Sequence, residues 1–309
     1  MNEHDLNSCE AETYLGDDGF TDMSKLVSGA VERIKNLKKN PEAMTGIPTC
    51  FPSLDRYTSG MQRGDLIIVA ARPSMGKSIF ASNIAKHIAL VIKLPVAIMD
   101  MQCGGEALSV DMLASIAKIE CHELRDGRIT SDEVERFENA IFVIKQAPIY
   151  FSSLTPVSVQ ELGEQLRKLN QRSGGLGLVV VDCLPELRFS AEKMNSDYAI
   201  QLAHTSRHLK ALAKELDVPI LALSPIDRDV EERGDKRPVL SDLPGMAAIA
   251  NAADLVLMVY RDEVYNPESA EKGTANIIVS MNRNGCVGAF DLRFEGRYQS
   301  FEEIIQVTL

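Results

Sequence analysis

From about residue 46 the chain alternates short, almost wholly apolar runs with longer stretches whose apolar positions recur every three to four residues. "DLIIVAA" (65–71), "PVAIMDM" (95–101), "LGLVVVDCL" (176–184), "PILALS" (219–224) and "ADLVLMVYR" (253–261) are too short for helices and too apolar for half-solvated strands. They predict strands buried on both faces. Helical spacing marks "KSIFASNIAKHIALVI" (77–92), segments near 105–118 and 131–146, and the stretches 157–172 and 197–216, while "IYFSS" is one more short strand. Strands separated by helices predict an α/β fold, a mostly parallel central sheet covered by helices. "TANIIVSMNR" and "GAFDLRFEG" follow each other without an intervening helix and predict an antiparallel pair at the sheet edge.

Before residue 46 the pattern changes. Residues 1–24 are acidic and lack periodic apolar positions, which predicts a disordered N-terminus. "KLVSGAVERIKNLKK" (25–39) puts Leu26, Val27, Ala30, Ile34 and Leu37 on one helical face, and Pro41 stops the helix. Helix and connector fill 25–45, leaving 46–309 for the α/β domain. A helix set apart from the core needs a partner surface, and a neighbouring subunit can supply it.

Composition narrows the function classes. With 45% hydrophobic residues, 309 residues allow two domains, and one large α/β domain with an N-terminal extension fits equally well. A net charge of −11 argues against a protein that coats duplex nucleic acid with its outer surface, but leaves room for a small basic channel lining. No window of about 20 apolar residues exists and the start is polar, so neither a membrane span nor a secretory signal is expected, and a cytoplasmic location is. Cys9, Cys50, Cys103, Cys121, Cys183 and Cys286 are scattered without a CxxC pair, which predicts buried free thiols rather than disulfides or zinc. His87, His122, His204 and His208 form no ligand grouping with carboxylates. Lys236 and Arg237 in "GDKRPV" read as a solvated loop pair at least as readily as a phosphate contact.

The chemistry concentrates in two places. "AARPSMGKS" (70–78) follows a predicted strand and opens a helix, matching a P-loop except that Ala71 stands for its first glycine. Backbone amides of the loop from Arg72 through Pro73, Ser74, Met75 and Gly76 to Lys77 can cradle a β-phosphate at the helix N-terminus. Lys77 reaches the β- and γ-phosphates, and the Ser78 hydroxyl can ligate Mg²⁺. "LVVVDC" sets Asp182 at the C-terminal end of an apolar strand, where open α/β sheets bind ligands. Asp182 is either a ligand to Mg²⁺-bound water or a cap for a following helix.

"TGIPTCFPSLDRYTSGMQRGDLIIVAARPSMGKS", "ALAKELDVPILALS", "DKRPVLSDL", "ADLVLMVYRDEVY" and "RNG", in this order, resemble the ATPase core of the bacterial replicative DNA helicases of the DnaB family. The resemblance runs from about residue 25 to about 301. It implies a RecA-like P-loop fold, Mg²⁺ and ATP as ligands, a hexameric ring with ATP between subunits, and 5′–3′ translocation on single-stranded DNA during replication. The helix at 25–39 resembles the linker helix that packs on the adjacent subunit. Only some 24 residues precede it, so no counterpart of the family's primase-binding domain is expected.

Departures from the family pattern are equally informative. "DMQC" aligns with a "SLEM"-like motif, since Glu106 and "MLAS" (112–115) keep their spacing, and Gln102 then occupies the catalytic glutamate's position. A neutral amide can hydrogen-bond a water but is a far weaker proton acceptor. Asp100 points to the same strand face about 6.6 Å back, a possible substitute base, and Glu186 is a more remote one or simply a solvated helix-end acid. Pro225 replaces the family's γ-phosphate-sensing glutamine. "KQRNG" becomes "MNRNG": Arg283 remains as a trans-acting arginine finger, while Met281 replaces its companion lysine. The single-stranded-DNA loop "DLRESGSI" becomes "DLPGMAAI", so Pro244, Gly245 and Ala247 offer neither cation nor carboxylate and DNA binding is expected to be weak. Three readings stay open: an ATP-binding helicase core with weak or absent hydrolysis that serves a homo- or hetero-oligomeric ring, an active helicase using Asp100, and a decayed copy.

Overall fold

A computed structural model describes residues 21–40, 44–153, 158–187 and 198–304. Residues 1–20, most of the stretch expected to be disordered, lie outside it. The chain divides into Met1–Met44 and Thr45–Leu309.

In the first unit α1 spans Met23–Lys39. Asp22 caps it by accepting from the Ser24 amide at 2.7 Å, and Lys38 and Lys39 sit in its last turn, where the helix dipole favours cations. Met23, Leu26, Val27, Val31 and Ile34 are exposed.

In the second unit the elements run α2 (Pro52–Thr58), β1 (Leu66–Ala71), α3 (Lys77–His87, prolonged by a π-turn to Ile92), β2 (Val96–Asp100), α4 (Gly105–Ala117), α5 (Cys121–Arg125), α6 (Val134–Lys145), β3 (Ile149–Ser152), α7 (Val159–Ser173), β4 (Leu178–Asp182), α8 (Tyr198–Leu216), β5 (Ile220–Pro225), α9 (Met246–Ala252), β6 (Leu255–Tyr260), β7 (Thr274–Asn282), β8 (Gly288–Glu295) and β9 (Ser300–Glu303). The nine strands form one sheet in the order β3-β2-β4-β5-β1-β6-β7-β8-β9. From β3 to β6 neighbours are parallel; from β6 to β9 they are antiparallel. The expected antiparallel pair thus gains a third strand, and β9, not β8, is the edge.

Every residue of β1, β2, β4 and β6 is buried, which explains their unbroken apolar runs. Alternate side chains feed two cores. Ile67 and Val69 join Phe80, Ile84 and Met112 on one face, whereas Leu66 and Ile68 join Leu162, Leu209, Leu212 and Ile249 on the other. Side-chain alternation along a strand makes this division. α7 is started by a capping box, Ser158 with Glu161, and stopped by left-handed Gly174. Five free cysteines are described, but only Cys121 and Cys183 are buried; Cys103 and Cys286 are exposed and Cys50 lies between, so the expectation of buried thiols holds for two of them. Cys9 lies outside the described residues.

Candidate nucleotide and catalytic site

The chain leaves β1 at Ala71 and turns through Arg72, Pro73, Ser74, Met75 and Gly76 before α3 begins at Lys77. Ser74 (φ 66°) and Gly76 (φ 95°) have left-handed backbone. A Cβ on Gly76 would stand 2.9 Å from Phe301 Cζ and 3.2 Å from Phe294 Cε2, so the loop rests on an aromatic floor that only glycine can approach this closely. Met75 is buried beneath the loop. Arg72 ties the outer side down, donating to Ile226 O at 3.0 Å and pairing with Glu231 at 2.8 Å. Arg261 donates to Ser74 O at 2.9 Å, and its guanidinium carbon lies 3.7 Å from the Phe294 ring centroid. The loop that opens α3 is thereby braced on three sides, and free amides at such a helix N-terminus can receive an anion. Neither Arg261 nor the Phe294–Phe301 floor was found from the sequence, because their relation to residues 72–77 exists only after folding.

Asp182 ends β4 beside this cradle and is 5% exposed. One carboxylate oxygen accepts from Lys77 Nζ at 3.1 Å and the other from Ser78 Oγ at 2.6 Å. The sequence-predicted trio is therefore one cluster, and among the described residues Asp182 caps no helix. A serine hydroxyl and a carboxylate are hard oxygen donors, the set Mg²⁺ takes together with phosphate oxygens, so these residues fit that ion.

β2 lies next to β4, and Asp100 is the register partner of Asp182. Asp100 is buried, and its Oδ1 accepts the amides of Gln102 and Cys103, both at 2.8 Å. This Asx-type turn swings the chain out of the strand. Burial raises the Asp100 carboxyl above the ordinary range; the two amides and Lys77 pull it back, while Asp182 adds to the rise. The turn exposes Gln102, whose Nε2 donates to Glu186 Oε1 at 2.7 Å and to Cys183 Sγ at 3.4 Å. Because a carboxylate only accepts, this contact also fixes which end of the amide is which. Burial, with Glu186 and Asp182 adding to it, pushes the Cys183 thiol up to about 12, so it stays protonated and donates to Glu186 Oε1 at 3.7 Å.

The other sequence-predicted positions lie apart from this cluster or beside it without polar reach. Pro225 pairs with Ala71 in the β1–β5 register and adjoins the loop with no side-chain donor. Arg283 follows β7, whose end at Asn282 pairs with Leu255, the first residue of β6. That is the end of the sheet opposite the P-loop, about 17 Å away along a six-residue strand. There Arg283 donates to the carbonyls of Asn251 (2.7 Å) and Ala250 (3.2 Å), capping α9. Met281 lies two residues before it in β7, against the second core. Pro244 and Gly245 (φ 63°) lead into α9, and Ala247 is exposed on its first turn. Lys236 and Arg237 lie over the Tyr265 and Tyr260 rings at 4.9 and 5.3 Å, a packed rather than freely solvated pair.

Comparisons with known proteins agree with this geometry. The model of the family described as DnaB-like helicase C terminal domain matches residues 46–303. The replicative DNA helicase DnaB of Haemophilus influenzae is 38% identical over 312 residues, covering 98% of this chain and 65% of that protein. The DnaB of Geobacillus stearothermophilus is 37% identical over 301 residues, covering 97% and 66% respectively. The chain thus spans just under two thirds of the length of these relatives. A solved DnaB-like replicative helicase, studied with its interactions with primase, superposes with a TM-score of 0.84 at 30% identity, covering 90% of this chain and 66% of that one. A solved isolated ATPase domain gives a TM-score of 0.85 at 30% identity, covering 91% and 99%. This chain belongs to the DnaB-like helicase family, as a RecA-like ATPase domain.

Proposed function

We propose that this chain is the motor domain of a DnaB-type ring helicase that binds Mg²⁺-ATP but hydrolyses it far more slowly than relatives with a glutamate at the end of β2. The observation that carries the proposal is Gln102: an amide, exposed at the strand end, where the family resemblance implies the general base. General-base catalysis is worth roughly 10²–10⁴-fold, or about 3–5 kcal/mol of barrier. The Asp100 carboxylate is buried and already accepts two amides, which favours a structural role over that of substitute base.

The cradle amides and Lys77 bind the β- and γ-phosphates, which Lys77 reaches by exchanging its contact with Asp182. Ser78 and Asp182 would hold Mg²⁺, which when bound neutralises charge on the phosphate oxygens. Arg283 lies too far from its own P-loop to serve it and is assigned to the ATP of a neighbouring subunit. That assignment also supports a second reading, a subunit that completes a partner's site in a mixed ring. Assembly is assigned to α1. Single-stranded DNA is a weak ligand here, because Pro244, Gly245 and Ala247 offer no charged side chain and the net charge of −11 opposes long-range attraction.

Calorimetric titration with Mg²⁺-ATP tests the binding half. Micromolar affinity is expected for the wild type, with a loss of about 2 kcal/mol or more, near 30-fold, for Lys77→Ala. Equal affinities would overturn the assignment.

A further inference from the structure

We infer that Glu186 is the general base for the residual ATP hydrolysis of this protein, and that Gln102 has become the residue that positions it. The inference rests on Mg²⁺-ATP binding at the P-loop as proposed above. Its carrying observation is a contact between residues 84 apart in sequence, Gln102 Nε2 donating to Glu186 Oε1 at 2.7 Å. The carboxylate missing from position 102 is therefore present one hydrogen bond away.

Three features make Glu186 suited to the role. It leaves the short 3₁₀ turn Leu184–Glu186 that follows Asp182, so the backbone that carries the Mg²⁺-site aspartate also carries this carboxylate. Its Oε1 is fixed by two donors from different strand ends, Gln102 Nε2 and the Cys183 thiol, leaving Oε2 to accept a proton. It is partly exposed, so water reaches it, unlike the buried Asp100. The Asx turn at Asp100 aims Gln102 at Glu186, which gives Asp100 a part in the geometry and none in proton transfer.

The step balances without a further reactant. A water oxygen attacks the γ-phosphorus, and its proton passes to Glu186 Oε2. The bond from γ-phosphorus to the bridging oxygen breaks with its electron pair left on the ADP oxygen, and inorganic phosphate departs. Glu186 then returns its proton to solvent. The rate stays low because the carboxylate has been displaced from the strand end by the length of an amide side chain, and proton transfer loses efficiency steeply with misplacement.

A double-mutant cycle on single-turnover ATP hydrolysis tests this, with Mg²⁺-ATP affinity measured on every variant. Glu186→Gln should lower wild-type turnover at least tenfold with affinity unchanged, whereas Asp100→Asn should leave more of it. Gln102→Glu should raise turnover, and in that background Glu186→Gln should have little effect, because the new carboxylate replaces the old. A Glu186 of merely structural importance would cost the same in both backgrounds, and that result overturns the inference. So does wild-type protein that binds Mg²⁺-ATP with no turnover at all. Absence of ATP binding would instead overturn the proposed function on which it stands.

Discussion

Replacing Gly76 with alanine adds one methyl group at the place where the loop before α3 meets its aromatic floor. The backbone there has φ 95° and ψ 18°, a conformation that an L side chain adopts at a cost of about 1–2 kcal/mol. The new Cβ would stand 2.9 Å from Phe301 Cζ. Phe301 cannot retreat easily: it is 5% exposed, edge-on to Phe80 at 5.7 Å and tilted against Phe294 at 4.9 Å. Overpacking of this kind costs about 1–3 kcal/mol, so the sum is roughly 2–5 kcal/mol, or about 4–20 °C in melting temperature for a domain of this size. If the strain is relieved by lifting the loop instead, the amides lose their convergence. Each hydrogen bond to a charged phosphate is worth about 1.5–3 kcal/mol, so ATP affinity should fall at least tenfold. Urea unfolding of the free protein and titration with Mg²⁺-ATP separate the two outcomes. A variant with wild-type midpoint and wild-type affinity would refute the aromatic floor as the determinant of the cradle's shape.

Lys210 donates to Asp254 (2.5 Å) and Gly64 O (2.7 Å) and pairs with Asp65 (3.4 Å), all three side chains less than one fifth exposed, so Lys210→Met leaves two carboxylates together and should destabilise by about 2–4 kcal/mol. An unchanged urea midpoint would contradict this. Burial pushes the Asp55 carboxyl up to about 6 despite its bonds from Thr49. Since the folded value is raised, stability from this group is full below the unfolded pKa and is lost as pH rises through about 6; after discounting for partial exposure, Asp55→Asn should gain about 1–2 kcal/mol on wild type between pH 4 and 7. A pH-independent difference in unfolding free energy would refute it. Deleting residues 1–40 removes the apolar stripe of α1 and should shift the oligomer toward monomer in sedimentation, and an unchanged mass distribution would free α1 of that role.

The parallel strands were legible because burial on both faces leaves an unbroken apolar run, as in "LVVVD" and "LIIVAA". The loop from Arg72 to Gly76 and the helix that begins at Lys77 were legible because their pattern is local. β9 escaped notice because four residues, "SFEE", carry too little pattern. α9 escaped notice because its seven residues, "MAAIANA", carry too little polar and apolar alternation to mark a helix, and Gly245 opens it. The Gln102–Glu186 contact and the Lys210–Asp254–Asp65 cluster each join distant segments. Their formation depends on which strands become neighbours, and no periodicity in one segment encodes that. In the sequence Asp100 is the more visible acid, because it lies two residues from Gln102 and Glu186 lies 84 away.

The central claim is that the nucleotide site is retained and its chemistry is slowed at one position. Its most direct test is the single-turnover rate of ATP hydrolysis at saturating Mg²⁺-ATP, with and without single-stranded DNA, for wild type and Gln102→Glu. A slow wild-type rate that rises at least about tenfold in the variant, with unchanged affinity, is the predicted result. A wild-type rate already matching that of the variant would contradict the claim, because the amide at residue 102 would then carry no cost.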